Sequence, residues 1–465
     1  MTDVLSHANK RMILVIILIT SFFNAFMGSA INIALPQIGK EFTMSAVNLS
    51  WVEMAYLLAS AMFLIPFGKI ADIIGRKKIF LIGNGIYLFA TCLCTVIPHQ
   101  TETAAIFFIS IRFLQGIGAA MIFCTAMAII VSVFPPHERG KMIGLNVSSI
   151  YLGLTVAPAL GGFLTQTLGW RSLFYINIIA SVICLGIFVS FIRNEWKDAE
   201  HETFDAKGSL LFMISIFCMM LGFARLPEIY AIILVVLGIA LFVGFILFEL
   251  KLEFPILPIR LFVMNRIFLL SNLTALINYA ATFAITFILS LYLQYVKGLS
   301  PRDAGLILIF QPVMMVLVAS FSGKLSDKYE PRLLSTLGMI IIVIGLTMLI
   351  ALGQSTSTEY IIISLLTVGI GFGFFSSPNT NAIMSSVSKN QLGLASAMTG
   401  TMRILGQMSS MAIASMVIHV MIGKQRISTE NIGMFVASTK IIFSVFTVLC
   451  IVGIVASLSR GKQHS

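Results

Sequence analysis

An all-α integral membrane protein of about fourteen transmembrane helices, arranged as six, two and six, is the fold class that the sequence predicts. Three observations carry it. Hydrophobic residues make up 58% of the 465 positions and charged residues only 11%, against about 25% charged in soluble chains. Apolar runs of about 18 residues or more, long enough to cross a hydrocarbon core of about 30 Å as a helix, recur along the chain. These runs are continuous and do not alternate, which excludes barrel strands.

The expected spans are 12–31, 49–67, 79–97, 104–122, 142–163, 173–192, 210–224, 229–248, 267–291, 304–322, 333–352, 360–375, 395–420 and 436–458. Span one follows Lys10 and Arg11; its length and the series of spans behind it predict an uncleaved first helix rather than a signal peptide. The Gly- and Lys/Arg-containing stretch 68–78 separates spans two and three, and 135–140 and 169–171 bracket span five. The longest interior polar segment, Arg193 to Lys207, follows span six. The stretch 249–266 after span eight contains Pro255 and Pro258, which oppose one straight helix through it. The expected organisation is an N-terminal six-helix bundle (1–193), cytoplasmic linkers with two inserted helices (194–266), and a C-terminal six-helix bundle (267–465), with no soluble domain.

Lys and Arg are retained on the cytoplasmic side of membrane proteins. With the N-terminus inside, 20 of the 30 basic residues fall in inner segments, among them Lys10, Arg11, Lys69, Arg76, Lys77, Lys78, Arg139, Arg193, Lys324, Lys328, Arg332, Lys389, Arg460 and Lys462. Eight fall outside: Lys40, Arg171, Arg225, Lys297, Arg302, Lys424, Arg426 and Lys440. Arg112 and Arg403 lie within spans. A multi-pass protein of the cell membrane with both termini cytoplasmic is expected. The formal charge of +11 is accounted for by this bias and by anionic lipid, with no nucleic-acid partner. The six cysteines lie in or beside apolar runs, so packing is their expected role, and no disulfide framework, metal site or cofactor is implied.

The motifs lie at helix ends and inside spans. Gly68-Lys-Ile-Ala-Asp72-Ile-Ile-Gly75-Arg76-Lys77-Lys78 follows span two, and Gly323-Lys-Leu-Ser-Asp327-Lys-Tyr-Glu-Pro-Arg332 follows span ten, the second span of the second half. Equivalent loops at equivalent places are the mark of a duplicated transporter fold. Gly68 and Gly75 allow close helix approach and a tight turn, Asp72 can receive a helix end or a basic side chain, and residues 76–78 are expected at the anionic inner leaflet. Span four carries Arg112-Phe-Leu-Gln115-Gly116-Ile-Gly118. A charge there costs at least about 2.5–3.5 kcal/mol, so Arg112 is expected to face protein or water, or else to bond backbone carbonyls or snorkel outward. Span five carries Gly153-Leu-Thr-Val-Ala157-Pro158-Ala-Leu-Gly161-Gly162, in which the proline bends the helix and the glycines admit a close neighbour.

The 68–78 stretch resembles the signature loop of the major facilitator superfamily. The segments around Arg112 and Pro158 are similar to that superfamily's fourth-helix and antiporter motifs. Further landmarks at 51–56, 135–140, 169–171, 204–208, 292–298 and 403–406, with the inserted helix pair, make nearly the whole chain resemble the fourteen-helix drug:proton antiporter family. The resemblance implies a major facilitator fold, alternating access, and proton-coupled export of drugs or other small amphipathic molecules. The implied partners are a small-molecule substrate, protons and membrane lipids, and the chain is expected to be monomeric.

One departure stands out. Members of that family commonly end the first span with an acid a few positions ahead of a stretch like Asn32-Ile-Ala-Leu-Pro36, and here Met27 takes that place. Glu53 is the clearest carboxylate inside a span; it reads either as a cavity acid that takes up a proton or as an interfacial acid reaching water beside Trp51. Asp72, Arg76, Arg112 and Arg403 join Glu53 as candidates for coupling or conformational change. Gln407 lies one turn from Arg403 on the same face. Asn24, Asn32, Tyr56, Gln115 and Tyr151 in the first half, and Asn272, Asn278, Tyr279, Gln311 and Gln407 in the second, are the polar groups expected to line a cavity.

A metabolite facilitator or proton symporter of the same superfamily, or a non-transporting membrane sensor, remains open on these residues. An enzyme is not expected: there is no metal-spaced His cluster, nucleophile elbow or phosphate loop.

Overall fold

The computed structural model describes residues 7–461 except 98–102, 193, 198, 200–201, 253–254, 258, 327, 389–390, 424 and 429. Arg193, Pro258, Asp327, Lys389, Lys424 and Lys462, named above, lie outside the described residues. Among the described residues the secondary structure is helical, without strands. Fourteen helices are long and apolar enough to cross a membrane: α1 (Asn9–Glu41), α2 (Ala46–Ile74), α3 (Arg76–Thr95), α4 (Ala104–Val133), α5 (Lys141–Leu168), α6 (Arg171–Phe191), α7 (Ala206–Arg225), α8 (Ile229–Glu249), α9 (Arg266–Val296), α10 (Pro301–Ser326), α11 (Pro331–Ile350), α12 (Thr358–Ser385), α13 (Leu394–Ile422) and α14 (Ile432–Ser459). Each expected span falls on one of them, with 79–97, 173–192 and 333–352 running one or two residues past the helix end.

Several helices run well past the expected spans, because a helix does not stop where its apolar run stops; its polar ends continue into the headgroup region. Thus α2 reaches Ile74 and takes Asp72 into its last turn, and the turn to α3 shrinks to Gly75 at φ 135°. Ends are closed by side chains: Ser45, Asp205, Asn265, Ser300 and Ser357 accept from the backbone N–H groups of Asn48, Gly208, Phe268, Asp303 and Tyr360, taking up donors that the first helical turn leaves free. Prolines sit inside α1 (Pro36), α2 (Pro66), α5 (Pro158) and α12 (Pro378). The α-helical pattern of α9 is interrupted at Phe283 and ends in a π turn at Tyr292–Val296, and that of α10 is interrupted at Ile309. Such local adjustments re-satisfy backbone groups at membrane depth.

In the first half α1 packs on α5 and α6, and α4 on α2 and α3; in the second, α12 packs on α10 and α11, and α9 on α13 and α14. Helices α7 and α8 form a hairpin whose α7 side meets α2 and α13. The outer face of α8 exposes Ile232, Ile233, Val236, Ile239, Val243 and Leu247. A helix apolar all round yet exposed has hydrocarbon as its solvent.

The halves meet along α2–α13 and α5–α10. Described hydrogen bonds between them cluster at the end away from the termini: Ser50 Oγ to Ser415 Oγ at 2.8 Å, Ser290 Oγ to Asn32 O at 2.7 Å, Gln294 Nε2 to Ile33 O at 3.0 Å, and Ala46 N to Gln425 O at 2.9 Å. At that end α5 and α10 touch backbone to backbone. A methyl on Gly162 would come within 3.2 Å of Arg302 Cα, and one on Gly305 within 2.9 Å of the Pro158 carbonyl carbon.

Candidate functional site

Between the halves, at mid-depth of the helices, lies a cavity bordered by α1, α2, α4, α5, α9, α10, α12 and α13. Of the expected lining residues, Asn24, Asn32, Tyr56, Tyr151, Tyr279, Gln311 and Gln407 border it, as do Glu53, Arg403 and Pro158. Three do not. Gln115 is fully buried behind the wall, donating to Thr91 Oγ1 at 2.9 Å. Asn272 is turned into its own helix, its Nδ2 donating to Phe268 O at 2.9 Å, and Asn278 is fully buried away from the cavity. Helix rotation decides this, and a polar residue in a span carries no mark of the direction it faces.

The network in the first half starts from Arg112 on α4, which has no exposed surface. Its Nη2 donates to Glu53 Oε2 at 3.2 Å, its Nε to Val52 O at 3.2 Å and its Nη1 to Gln115 Oε1 at 2.5 Å. The guanidinium lies 4.5 Å from the Tyr56 ring centroid, and the Tyr56 hydroxyl donates to Asn24 Oδ1 at 2.5 Å. Glu53 is likewise wholly buried, so it is not the interfacial acid beside Trp51. Arg112 does bond a backbone carbonyl, but that of α2, and it does not snorkel. One oxygen of Glu53 is held by the pair; the other, Oε1, is buried with no hydrogen-bond partner among the described residues. The amide oxygens of Asn32 and Gln311, also on the cavity wall, stand in the same condition. Buried acceptors without partners are costly, and these three, unlike those of Asn272 and Asn278, border a cavity from which a proton, water or ligand can reach them. Met27 is 1% exposed, packed in the core and absent from the wall.

In the second half, Arg403 and Gln407 share one face of α13, as their spacing predicts. The Arg403 guanidinium lies over the Phe123 ring of α4 at 4.8 Å, a contact between the halves. Phe123 also fills the space above Gly400, where a methyl would meet its ring at 2.6 Å. No sequence signal separates Phe123 from other phenylalanines in apolar runs. Thr91 is one of three hydroxyl side chains inside span three, with Tyr87 and Thr95, and nothing in the sequence separates it from them.

At the termini end, Arg76 gives Asp72 Oδ1 two hydrogen bonds, 2.9 Å from Nε and 2.7 Å from Nη2, and another to Ser132 Oγ on α4. It is buried, which corrects the expectation that it lies at the lipid surface: the guanidinium ties α2, α3 and α4 together. The segment after α6 folds back over the motif. Glu195 accepts from Lys77 N and Lys78 N at 2.8 and 3.2 Å, capping α3, and Arg76 N donates to Trp196 O at 2.9 Å. Gly75 is required by its φ, and a side chain there would also displace the Glu195 carboxylate from the start of α3. Gly68 departs from expectation, since a methyl on it would make only an ordinary 3.7 Å contact with Cys124. Gly116 and Gly118 lie tightly against α2 and α3, and Gly153 and Gly161 against α1.

The second half closes this end differently. Arg332 Nη1 reaches Leu458 O at 3.3 Å, whereas Arg460, expected as a loop charge, is 2% exposed and bonds Ser271 Oγ (3.2 Å), Asn379 Oδ1 (2.7 Å), Pro331 O (3.0 Å) and Ser335 Oγ. At the far end the 169–171 landmark ties α6 to α1. Arg171 forks onto Glu41 at 2.6 and 2.9 Å, and Trp170 Nε1 donates to the same carboxylate at 2.7 Å.

Two helix assemblies enclosing a mid-depth polar and aromatic cavity, joined at one end by hydrogen bonds, define a membrane carrier. A family model described as Major Facilitator Superfamily matches residues 17–412 and, overlapping, 272–460. The chain belongs to that superfamily. It is therefore a multi-pass membrane transporter and not an enzyme, and a small-molecule substrate accords with that. The riboflavin transporter RibZ of Clostridioides difficile is 30% identical over 396 residues, 85% of each chain. The multidrug resistance protein Stp of Mycobacterium tuberculosis is 26% identical over 397 residues, 83% of this chain and 72% of that one. The crystal structure of a peptide transporter POT mutant in complex with alafosfalin superposes with a TM-score of 0.70 at 15% identity, covering 96% of this chain and 94% of that one, a likeness of fold.

Proposed function

We propose that the chain exports small amphipathic molecules across the cell membrane in exchange for protons, by alternating access of two six-helix bundles (1–193 and 267–465) around the central cavity. Residues 194–266 supply the linkers and the inserted pair, both termini are cytoplasmic, the monomer is the working unit, and membrane lipids are its solvent. The observation that carries the reading is the Glu53–Arg112 pair: a fully buried carboxylate on the cavity wall with one oxygen in an ion pair and the other without a partner. Protonation of Glu53 removes the charge that holds Arg112, so a proton entering from one side changes how α2 and α4 are held together. Asp72, Arg76 and the glycines of α4 and α5 govern the change of shape. The closely packed Gly162–Gly305 contact is the part of the far end that must part when the cavity opens there.

A second reading, uptake or exchange of a planar metabolite, is favoured by the relative named a riboflavin transporter and by the unpartnered amide oxygens of Asn32 and Gln311, which suit ring N–H donors. One experiment separates the two. Proteoliposomes holding the purified chain are given an imposed pH gradient and offered dyes, drugs and riboflavin. Accumulation opposite to proton flow, abolished by an uncoupler, is the export result; flux indifferent to the gradient overturns proton coupling.

A further inference from the structure

The described wall of the cavity holds two charged side chains, Glu53 and Arg403. They are not equivalent. Glu53 is neutralised by Arg112 at 3.2 Å. Arg403 has no ion pair and no hydrogen-bond acceptor among the described residues; its neighbour is the face of Phe123 at 4.8 Å. A phenyl face gives a cation only part of what hydration gives, and it leaves the N–H donors around the guanidinium edge free. Tyr279, within electrostatic reach of Arg403, and Gln407 on the next turn border the same region. With the Glu53–Arg112 pair summing to zero, the cavity is electropositive, and a low-dielectric cleft of one sign concentrates ligands of the other. An organic cation, by contrast, would have to take Glu53 from Arg112 while facing two guanidinium groups.

We propose that the cavity selects organic anions: an aromatic body lies among Tyr56, Phe283 and Phe372, and its carboxylate, sulfonate or phosphate is received by the planar donor fork of Arg403. Because Arg403 also rests on Phe123 of the opposite half, an anion held there sits where the halves meet. This rests on the cavity being the substrate site, as in the proposed function, but not on proton coupling or direction.

The test is equilibrium binding to the purified full chain in detergent, without a gradient, by fluorescence polarisation. Anionic fluorescein and cationic rhodamine 123 share a xanthene core and differ chiefly in charge. Fluorescein is expected to bind at least about tenfold more tightly, as one charge-assisted contact provides. Arg403→Gln is expected to remove that preference and Arg403→Lys to keep part of it. In the parent protein, naphthalene sulfonate is expected to displace fluorescein and a naphthyl trimethylammonium is not, which keeps the question answerable if Arg403→Gln does not fold. Equal or tighter rhodamine binding, an unchanged preference in Arg403→Gln, or displacement by the ammonium alone overturns the proposal. Failure of pH-driven export would leave this result standing, and loss of anion preference would leave proton coupling standing.

Discussion

Replacing Glu53 by Gln tests the ion pair directly. The structure sets opposite charges 3.2 Å apart with neither side chain exposed, and at an effective dielectric of about 20 their attraction is about 5 kcal/mol. Removing one partner of a buried pair costs about 3–5 kcal/mol, because the remaining charge is left uncompensated. Gln keeps the shape and an acceptor oxygen for Arg112, which returns about 1 kcal/mol. The expected net loss is about 2–4 kcal/mol of stability in detergent, and Glu53→Gln/Arg112→Gln, with no charge left over, should recover most of it. Insertion should survive, since a neutral side chain is cheaper to place in the span. In proteoliposomes, Glu53→Gln mimics the protonated state, so pH-driven uphill export should vanish while downhill exchange persists. Uphill export at the parent's rate, with the parent's pH dependence, would refute the coupling role. Thermal stability equal to the parent's would refute the energetic account of the pair.

Three further outcomes are expected. Arg112→Ala should abolish transport and Arg112→Lys should not fully restore it, because a compact ammonium cannot reproduce the planar fork whose separate nitrogens reach Glu53, Val52 O and Gln115; full flux in the Lys variant would show that charge alone suffices. Asp72→Asn should slow transport severalfold with normal membrane abundance, since it weakens the hold of Arg76 at one helix junction and leaves the core intact; unchanged flux would reduce the motif to a topological signal. A cysteine replacing the exposed Lys78, in a background freed of the six native cysteines, should resist membrane-impermeant reagents applied outside intact cells, and labelling there would reverse the orientation.

The number and order of the helices were legible in the sequence because the bilayer leaves the backbone few ways of crossing it, so run length and composition suffice. The Asp72, Gly75 and Arg76 spacing was legible for a related reason: a one-residue turn at positive φ between two helices admits few side chains. Arg112 announced itself as a charge where charges are expensive. The sequence also put Met27 where an acid was expected and offered Glu53 as the carboxylate in its stead, but it did not show that Glu53 is paired with Arg112.

Partnership across the chain was decided by tertiary structure alone. Glu53 and Arg112 are 59 positions apart and meet only because α4 packs on α2. Arg403 finds Phe123 only where the two halves touch, and Arg460, a loop charge by its position, proves to be a buried tie among four helices. Gln115, Asn272 and Asn278, polar residues inside spans like those on the cavity wall, face protein instead. The physical reason is common to them all. In a soluble protein, water marks a helix's outer face with polar residues, but lipid is as apolar as a packed core, so the sequence pattern around a spanning helix says little about which side is inward until the helices are assembled.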